Sequence, residues 1–298
     1  MKYNKLGHSA LTISEIGFGC MSLKGTKKEN TTLIHSALDS GINFFDTADI
    51  YQHGINEKEV GAAILERRKD IVLATKAGNV WKEDGSGLDW NPRKDHILAS
   101  VEQSLQRLQT DYIDLYQLHG GTIQDNIDES IEAFEYLKQQ GKIRYYGISS
   151  IRPNVIREYV QRSDMVSVMM QYSLLDRRPE ETCFSLLEEN NISVLVRGSL
   201  AQGLLINKPP KDYLGYTAAQ VAQAAAAIHE ASDSNRKATQ TAIRFVLQQP
   251  VVASVVLGIS NPEQLGEALA TCESPALSEP ETQLLKSALP ANYYKEHR

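Results

Sequence analysis

The chain predicts an α/β fold, a (β/α)8 or TIM barrel with an N-terminal hairpin and additional helices near the C-terminus. Three observations predict it. Eight short apolar segments alternate with segments of helical spacing. The helical segments carry start and stop signals. Polar residues gather at the carboxyl ends of the apolar segments, where barrels of this class carry their chemistry.

After a hairpin-like N-terminal stretch, the strands expected are Ile16–Cys20, Asn43–Asp46, Ile71–Lys76, Tyr112–His119, Tyr145–Ser149, Val166–Gln171, Ser193–Arg197 and Ser254–Gly258. The first helix, Asn30–Ser40, stops at Gly41, a C′ glycine. Asn56 precedes the second, Glu57–Arg68, as an N-cap with an acid in the first turn. Asn91-Pro92 opens the third, which runs to Leu108. Ser130–Gln140 stops at Gly141, Pro153 opens a helix to Val160, and Pro179 opens one to Glu189. Lys237–Gln249 stops at Pro250, and Asn261-Pro262 opens a helix to Ala270. Two helices exceed the barrel's needs: the alanine-rich Ala218–Ala231, after the loop Lys208–Tyr216, and Ser278–Leu289. No linker, low-complexity tract or short repeat divides the chain, so residues 1–298 read as one barrel domain.

Composition excludes several classes. At 298 residues, with 42% hydrophobic and 23% charged residues, the chain can bury an ordinary core. Its net charge of −6 is spread through the sequence, which offers no footprint for nucleic acid or an anionic membrane. Cys20, Cys183 and Cys272 form no CxxC pair and read as reduced thiols. The first residues lack the apolar core of a signal peptide, and no apolar run is long enough to span a bilayer. A cytoplasmic protein is the expectation.

Four strand-end residues carry the chemistry. Asp46, Lys76 and His119 each close an apolar segment, and Tyr51 follows Asp46 by five residues. Taken singly, each has an ordinary reading: Asp46 in a turn, Lys76 at a solvated strand end, Tyr51 as a loop aromatic, His119 satisfying a Gly-Gly turn. Together, in one barrel mouth, they suit proton transfer to an oxygen. A phenol has a pKa near ~10, and an adjacent ammonium is expected to lower it. Lys76 would supply that ammonium, Asp46 would aim it, and His119 would orient a carbonyl. Tyr51 would then donate the proton as a hydride arrives. No side chain supplies a hydride, so a nicotinamide cofactor is required.

At these residues the chain resembles the aldo-keto reductases, particularly the bacterial branch similar to potassium-channel β-subunits. The matching stretches are Ile16–Gly19, Gly41–Tyr51, Ala74–Lys76, Asp111–His119 and Gly147–Ser149. The resemblance implies a barrel that binds NADPH extended across its mouth, with the tetrad Asp46, Tyr51, Lys76 and His119. It implies cofactor contacts from Gly19, Cys20, Met21, Asp46, Ser149, Gln171, Arg197, Gly198, Ser199, Leu200, Gln202, Gly203, Gly258, Ser260 and Gln264. Ser149 and Gln171 match positions that hold the nicotinamide carboxamide. Substrate would meet Tyr51, His119 and Trp81, which resembles an aromatic wall of the substrate pocket and equally reads as a loop anchor.

The chain departs from the family pattern at several positions. Ser150 and Met170 stand where asparagine is usual, and Arg197 stands where an aromatic usually stacks on the nicotinamide. A guanidinium can stack on a ring or pair with phosphate. No arginine or lysine follows Gly258, where the family usually grips the 2′-phosphate, so NADH stays open beside NADPH. Ser260 and the helix opening at Pro262 are neutral substitutes, and Lys208 and Lys211 are distant cationic ones.

The leading expectation is an NADPH-dependent reductase of aldehydes, and of ketones as a second class, acting on a small-molecule carbonyl with no metal. The alternative is a nucleotide-binding regulatory barrel with slow turnover. A metal-dependent hydrolase would need histidines clustered at strand ends, and only His119 of the seven ends a strand. Gly17–Ser22 imitates a dinucleotide-binding GxGxxG but lacks its third glycine, and Cys20 reads as a small core residue.

Overall fold

The computed structural model describes residues 1–298. Two short strands, β1 (Tyr3–Lys5) and β2 (Thr12–Ser14), pair antiparallel ahead of the barrel. The chain then runs β3 (Ile16–Gly19), α1 (Lys27–Asp39), β4 (Phe44–Asp46), α2 (Ile55–Ile64) and β5 (Val72–Ala77). A second hairpin, β6 (Asn79–Trp81) and β7 (Leu88–Trp90), precedes α3 (Lys94–Leu108). There follow β8 (Ile113–Leu118), α4 (Ile127–Gln139), β9 (Ile143–Ser149), α5 (Pro153–Arg162), β10 (Ser167–Gln171), α6 (Cys183–Glu189) and β11 (Ser193–Arg197). The chain ends with α7 (Ala218–Glu230), α8 (Ala238–Leu247), β12 (Val252–Gly258), α9 (Pro262–Glu273) and α10 (Glu279–Ala288).

Eight strands close a parallel barrel in the order β3-β4-β5-β8-β9-β10-β11-β12, and β12 returns to β3. The expected (β/α)8 class is therefore the observed one. The alternation of the strands sorts their side chains. One set faces outward into a core of 67 buried residues shared with the helices. The other set fills the barrel interior. There Leu6, Leu11 and Ile13 of the hairpin pack against Phe44, Val72, Leu115 and Leu195, so the hairpin seals the amino-terminal end. Each such buried side chain stabilises the fold by roughly 1.5–3 kcal/mol. The two extra helices, α7 and α10, pack against each other outside the ring.

The helix boundaries shift from expectation for local reasons. Capping boxes at Thr26, Thr217 and Ser278 set the starts of α1, α7 and α10. Asn56 is not an N-cap. Gly54, at φ +83, turns the chain two residues earlier and α2 begins at Ile55, leaving Asn56 buried inside the first turn. Pro179 opens a 3-10 turn, Arg178–Glu181, and α6 starts beyond it at Cys183. The hairpin β6–β7 replaces what the sequence suggested was a plain loop.

Candidate functional site

The carboxyl ends of the strands open into a cavity of about 700 Å³. Asp46, Tyr51, Lys76 and His119 all line it. Asp46 ends β4, Lys76 lies one residue before the end of β5, and His119 follows β8 directly. Parallel register places Asp46 beside Ala74 and Lys76 beside Gln117, so the three strands deliver their polar ends at one level.

Lys76 is fully buried and donates to Asp46 Oδ2 at 2.6 Å and to the Thr47 carbonyl at 2.7 Å. Gln117 Nε2 donates to the other carboxylate oxygen, Oδ1, at 3.3 Å. A buried ammonium needs this many partners, because an unpaired one costs several kcal/mol. The support continues outward. Thr47 Oγ1 donates to Asn56 Oδ1 at 2.6 Å, and Asn56 Nδ2 donates to the Cys20 carbonyl at 2.8 Å. Thr75 Oγ1 donates to Glu57 Oε1 at 2.6 Å, and Arg107 Nε donates to Glu57 Oε2 at 2.6 Å. The tetrad strands are thus tied to α2 and α3.

Tyr51 sits at the start of a tight turn in which Gln52 and His53 adopt left-handed backbone, at φ 51° and 54°. Its ring centre lies 5.3 Å from Lys76 Nζ and 6.0 Å from the His119 ring, which meets it edge-on. Burial raises the Tyr51 pKa above the ordinary phenol value, and the opposing pull of Lys76 does not reverse this. The expected net lowering is therefore corrected: the phenol keeps its proton. Burial also pushes His119 down to about 3, helped by the charges of Lys76 and Arg197, so the imidazole is neutral at physiological pH. Burial raises the Asp46 carboxyl against the pull of Lys76.

Trp81 is the main displacement among the anticipated residues. It does not line the cavity. Its ring stacks on His53 at 4.2 Å and its Nε1 donates to the Ile50 carbonyl at 3.0 Å. It clamps the strained turn that carries Tyr51. The tryptophan on the cavity wall is Trp90, at the far end of the same hairpin. Trp90 Nε1 donates to Asp125 at 3.0 Å, and its ring packs where Cβ atoms on Gly78 and Gly120 would come within 2.8 and 2.9 Å. Glycines after Lys76 and after His119 admit this ring.

The anticipated cofactor positions, Cys20 and Ser260 apart, divide into two groups. Gly19, Met21, Ser149, Gln171, Arg197, Gly198, Gln202 and Gly258 line the cavity. Ser199, Leu200, Gly203 and Gln264 line an adjoining groove of about 470 Å³, which shares Ser22, Gly198, Gln202, Val256 and Gly258 with the cavity. Cys20 lines neither; its thiol is buried toward the Phe18 carbonyl, and burial raises its pKa. Ser260 is drawn away, its backbone N and Oγ donating to Gln264 Oε1 at 2.9 and 3.0 Å. Gln171 Nε2 donates to Asp176 and Tyr213, and its Oε1 accepts from Arg197 Nη1 at 3.2 Å. One lone pair of that oxygen is left for a ligand. Ser199 Oγ is buried without a partner. Of the two lysines considered, Lys208 lines the groove, against Gly203, and Lys211 does not.

Sequence reasoning missed Asn79, Trp90, Gln117, Arg152 and Tyr213. Trp90 and Asn79 carried a signal: Asn79-Val80-Trp81 and Leu88-Asp89-Trp90 flank Asp84-Gly85, a hairpin pattern. No group of three or more His, Cys, Asp or Glu residues is placed to hold a metal ion. No helix is long and apolar enough to cross a membrane.

The barrel mouth thus holds a buried ammonium–carboxylate pair beside a phenol and a neutral imidazole. Residues 15–290 match the model of the aldo/keto reductase family, and the chain belongs to that family. It is 51% identical over 307 aligned positions, covering all of both chains, to the uncharacterized oxidoreductase YqkF of Bacillus subtilis. It is 35% identical to the NADH-specific methylglyoxal reductase of Escherichia coli, over 72% of each chain. Among solved structures, the holo form of aldo-keto reductase AKR11C1 from Bacillus halodurans superimposes with a TM-score of 0.94 at 48% identity, covering 100% of this chain and 99% of that one. The protein is an NAD(P)H-dependent oxidoreductase acting on small molecules.

Proposed function

We propose that the protein reduces aldehydes, and ketones more slowly, with NADPH as the preferred cofactor and Tyr51 as the proton donor. The observation that carries this reading is the buried Lys76–Asp46 pair, 2.6 Å apart, beneath the Tyr51 ring. A bound reduced nicotinamide supplies the hydride that no side chain can. The protein's residues do the rest. Tyr51 holds its proton in the resting site, because burial outweighs the nearby ammonium. As the carbonyl oxygen gains negative charge, the proton moves from the Tyr51 hydroxyl to it. Lys76 stabilises the phenolate left behind, and Asp46 and the Thr47 carbonyl keep Lys76 aimed. Neutral His119 hydrogen-bonds the same oxygen without competing for the proton.

The groove supports a dinucleotide. Ser199 Oγ offers a buried hydroxyl in need of a partner, and Gln171 Oε1 can accept from a carboxamide N–H. Gly198, Leu200, Gln202 and Gly203 would follow the diphosphate. Ser260 and Gln264 would exchange their mutual bond for the adenosine end. Lys208 is the only cation lining the groove, and Glu267 the only anion. NADPH is assigned on Lys208, and the NADH-specific relative keeps NADH as the competitor to test. Fluorescence titration with both nucleotides should give the tighter Kd for NADPH; equal values would remove that assignment. Tyr51→Phe should lower kcat for an aromatic aldehyde by at least ~10²-fold while nucleotide binding is kept. Full turnover in that variant would overturn the proton-donor role. Sustained multiple turnover by the wild type separates an enzyme from a slow regulatory barrel.

A further inference from the structure

We infer that the substrate is a short carbonyl compound bearing an oxyanion, and that Arg152 binds that oxyanion. The inference rests on the reductase reading above. It starts from the charges on the cavity wall. Asp46 is the only acidic residue lining the cavity, and Lys76 neutralises it. Arg152 and Arg197 line the same cavity, and neither makes an ion pair. The chain as a whole carries a net charge of −6, so an uncompensated cationic cavity runs against its composition.

The two guanidiniums face different parts of the mouth. Arg197 ends β11 and donates to Gln171, on the side of the cofactor groove. Arg152 stands before α5 and donates to the Gly121 carbonyl, two residues past His119. Two residues span at most about 7 Å of backbone, so the carbonyl that Arg152 holds belongs to the same short stretch as His119. Its one bond to a neutral carbonyl leaves most of its five N–H donors free. The loop's own carboxylate, Asp125, is taken up by Thr122 and Trp90. Asn79 and Thr122 add polar groups to a wall that Trp90 and Ile151 also line. A half-buried, unpaired arginine of this kind favours a carboxylate or phosphate in bidentate contact.

The test uses the holoenzyme with NADPH. Succinic semialdehyde is compared with its neutral methyl ester, and glyceraldehyde 3-phosphate with glyceraldehyde; the pair with the larger ratio identifies the anion. The wild type should favour the anion at least ~10-fold in kcat/KM. Raising ionic strength should erode that preference through KM. In Arg152→Met the ratio should collapse toward unity, and Arg152→Lys should restore part of it. Equal loss on acid and ester would mean that Arg152 only holds the Gly120-Gly121 loop, and would overturn the inference. So would a wild-type preference for the ester. If none of the four is reduced, the reductase reading fails, and binding decides the inference separately. Trp90 lines the cavity, so butyrate and butanol can be titrated against tryptophan emission of the nucleotide-bound protein. Selective quenching by butyrate that disappears in Arg152→Met supports an anion site; no selectivity overturns it.

Discussion

At the ends of β4 and β5, polar groups are bonded to one another; past the end of β11, they are left short of partners. Lys76, Asp46, Thr47, Asn56 and Glu57 form a buried network with partners at 2.6 to 2.8 Å. Across the mouth, Arg197 is exposed with a single neutral partner, and Ser199 Oγ has none. The first region is finished by folding. The second is the one that the proposed nucleotide would complete. A substitution in the first should therefore damage both stability and chemistry, and one in the second should damage binding alone.

Lys76→Met is the strongest test of that division. It leaves Asp46 buried without its cation, which typically costs about 3–5 kcal/mol. It also removes the charge that stabilises the Tyr51 phenolate, with a loss in kcat on the order of 10³-fold. Thermal unfolding and steady-state kinetics read the two separately. Pairing Lys76→Met with Asp46→Leu should recover most of the stability and none of the turnover. Recovery of turnover in the double variant would show that the pair serves folding only.

Ser199→Ala tests the other region. The hydroxyl is buried and unpartnered, so its removal should leave stability within ~0.5 kcal/mol of wild type or slightly above it. Nucleotide affinity should fall about 5- to 10-fold, the value of one hydrogen bond. A large drop in melting temperature with unchanged affinity would place Ser199 among the structural groups and blur the comparison.

The same division explains what the sequence made legible. Strand ends announced themselves because a charged residue closing an apolar run has few places to go in a closed barrel. Asp46, Lys76 and His119 were readable on that ground, and the parallel register then fixed them at one level. Trp81 and Trp90 were not separable in sequence. The Asp84-Gly85 turn signals the hairpin β6–β7, but which tryptophan faces the cavity depends on the space left by Gly78 and Gly120, which appears only when the chain folds. Arg152 looked like any helix-flanking arginine; only the absence of a nearby carboxylate singles it out. The direction of the Tyr51 shift was also misjudged, because the charge of Lys76 is visible in sequence and the depth of burial is not.

Beside that region two titratable groups, Asp49 and His119, each keep a buried atom without a partner, Oδ1 and Nδ1, and they give the comparison a pH-dependent test. Burial, with the charge of Glu57 beside it, pushes Asp49 up to about 7. An unfolded aspartate titrates near ~3.9. Between those values the folded chain holds a proton that the unfolded chain has lost, so Asp49 makes stability fall as pH rises. His119 does the opposite. Its folded value of about 3 lies below the unfolded ~6.5, so the unfolded chain binds the extra proton and stability rises with pH across that window. From about pH 4 to 6.5 the two slopes oppose each other. Asp49→Asn removes one of them. Its stability should rise through that window, level off above it, and exceed wild type at pH 8, where the wild-type Asp49 has lost the stability that its raised value confers at low pH. Urea unfolding at a series of pH values measures this. An unchanged profile in Asp49→Asn would mean that the carboxyl finds water in solution, and that the tetrad side of the mouth is wetter than its hydrogen bonding indicates.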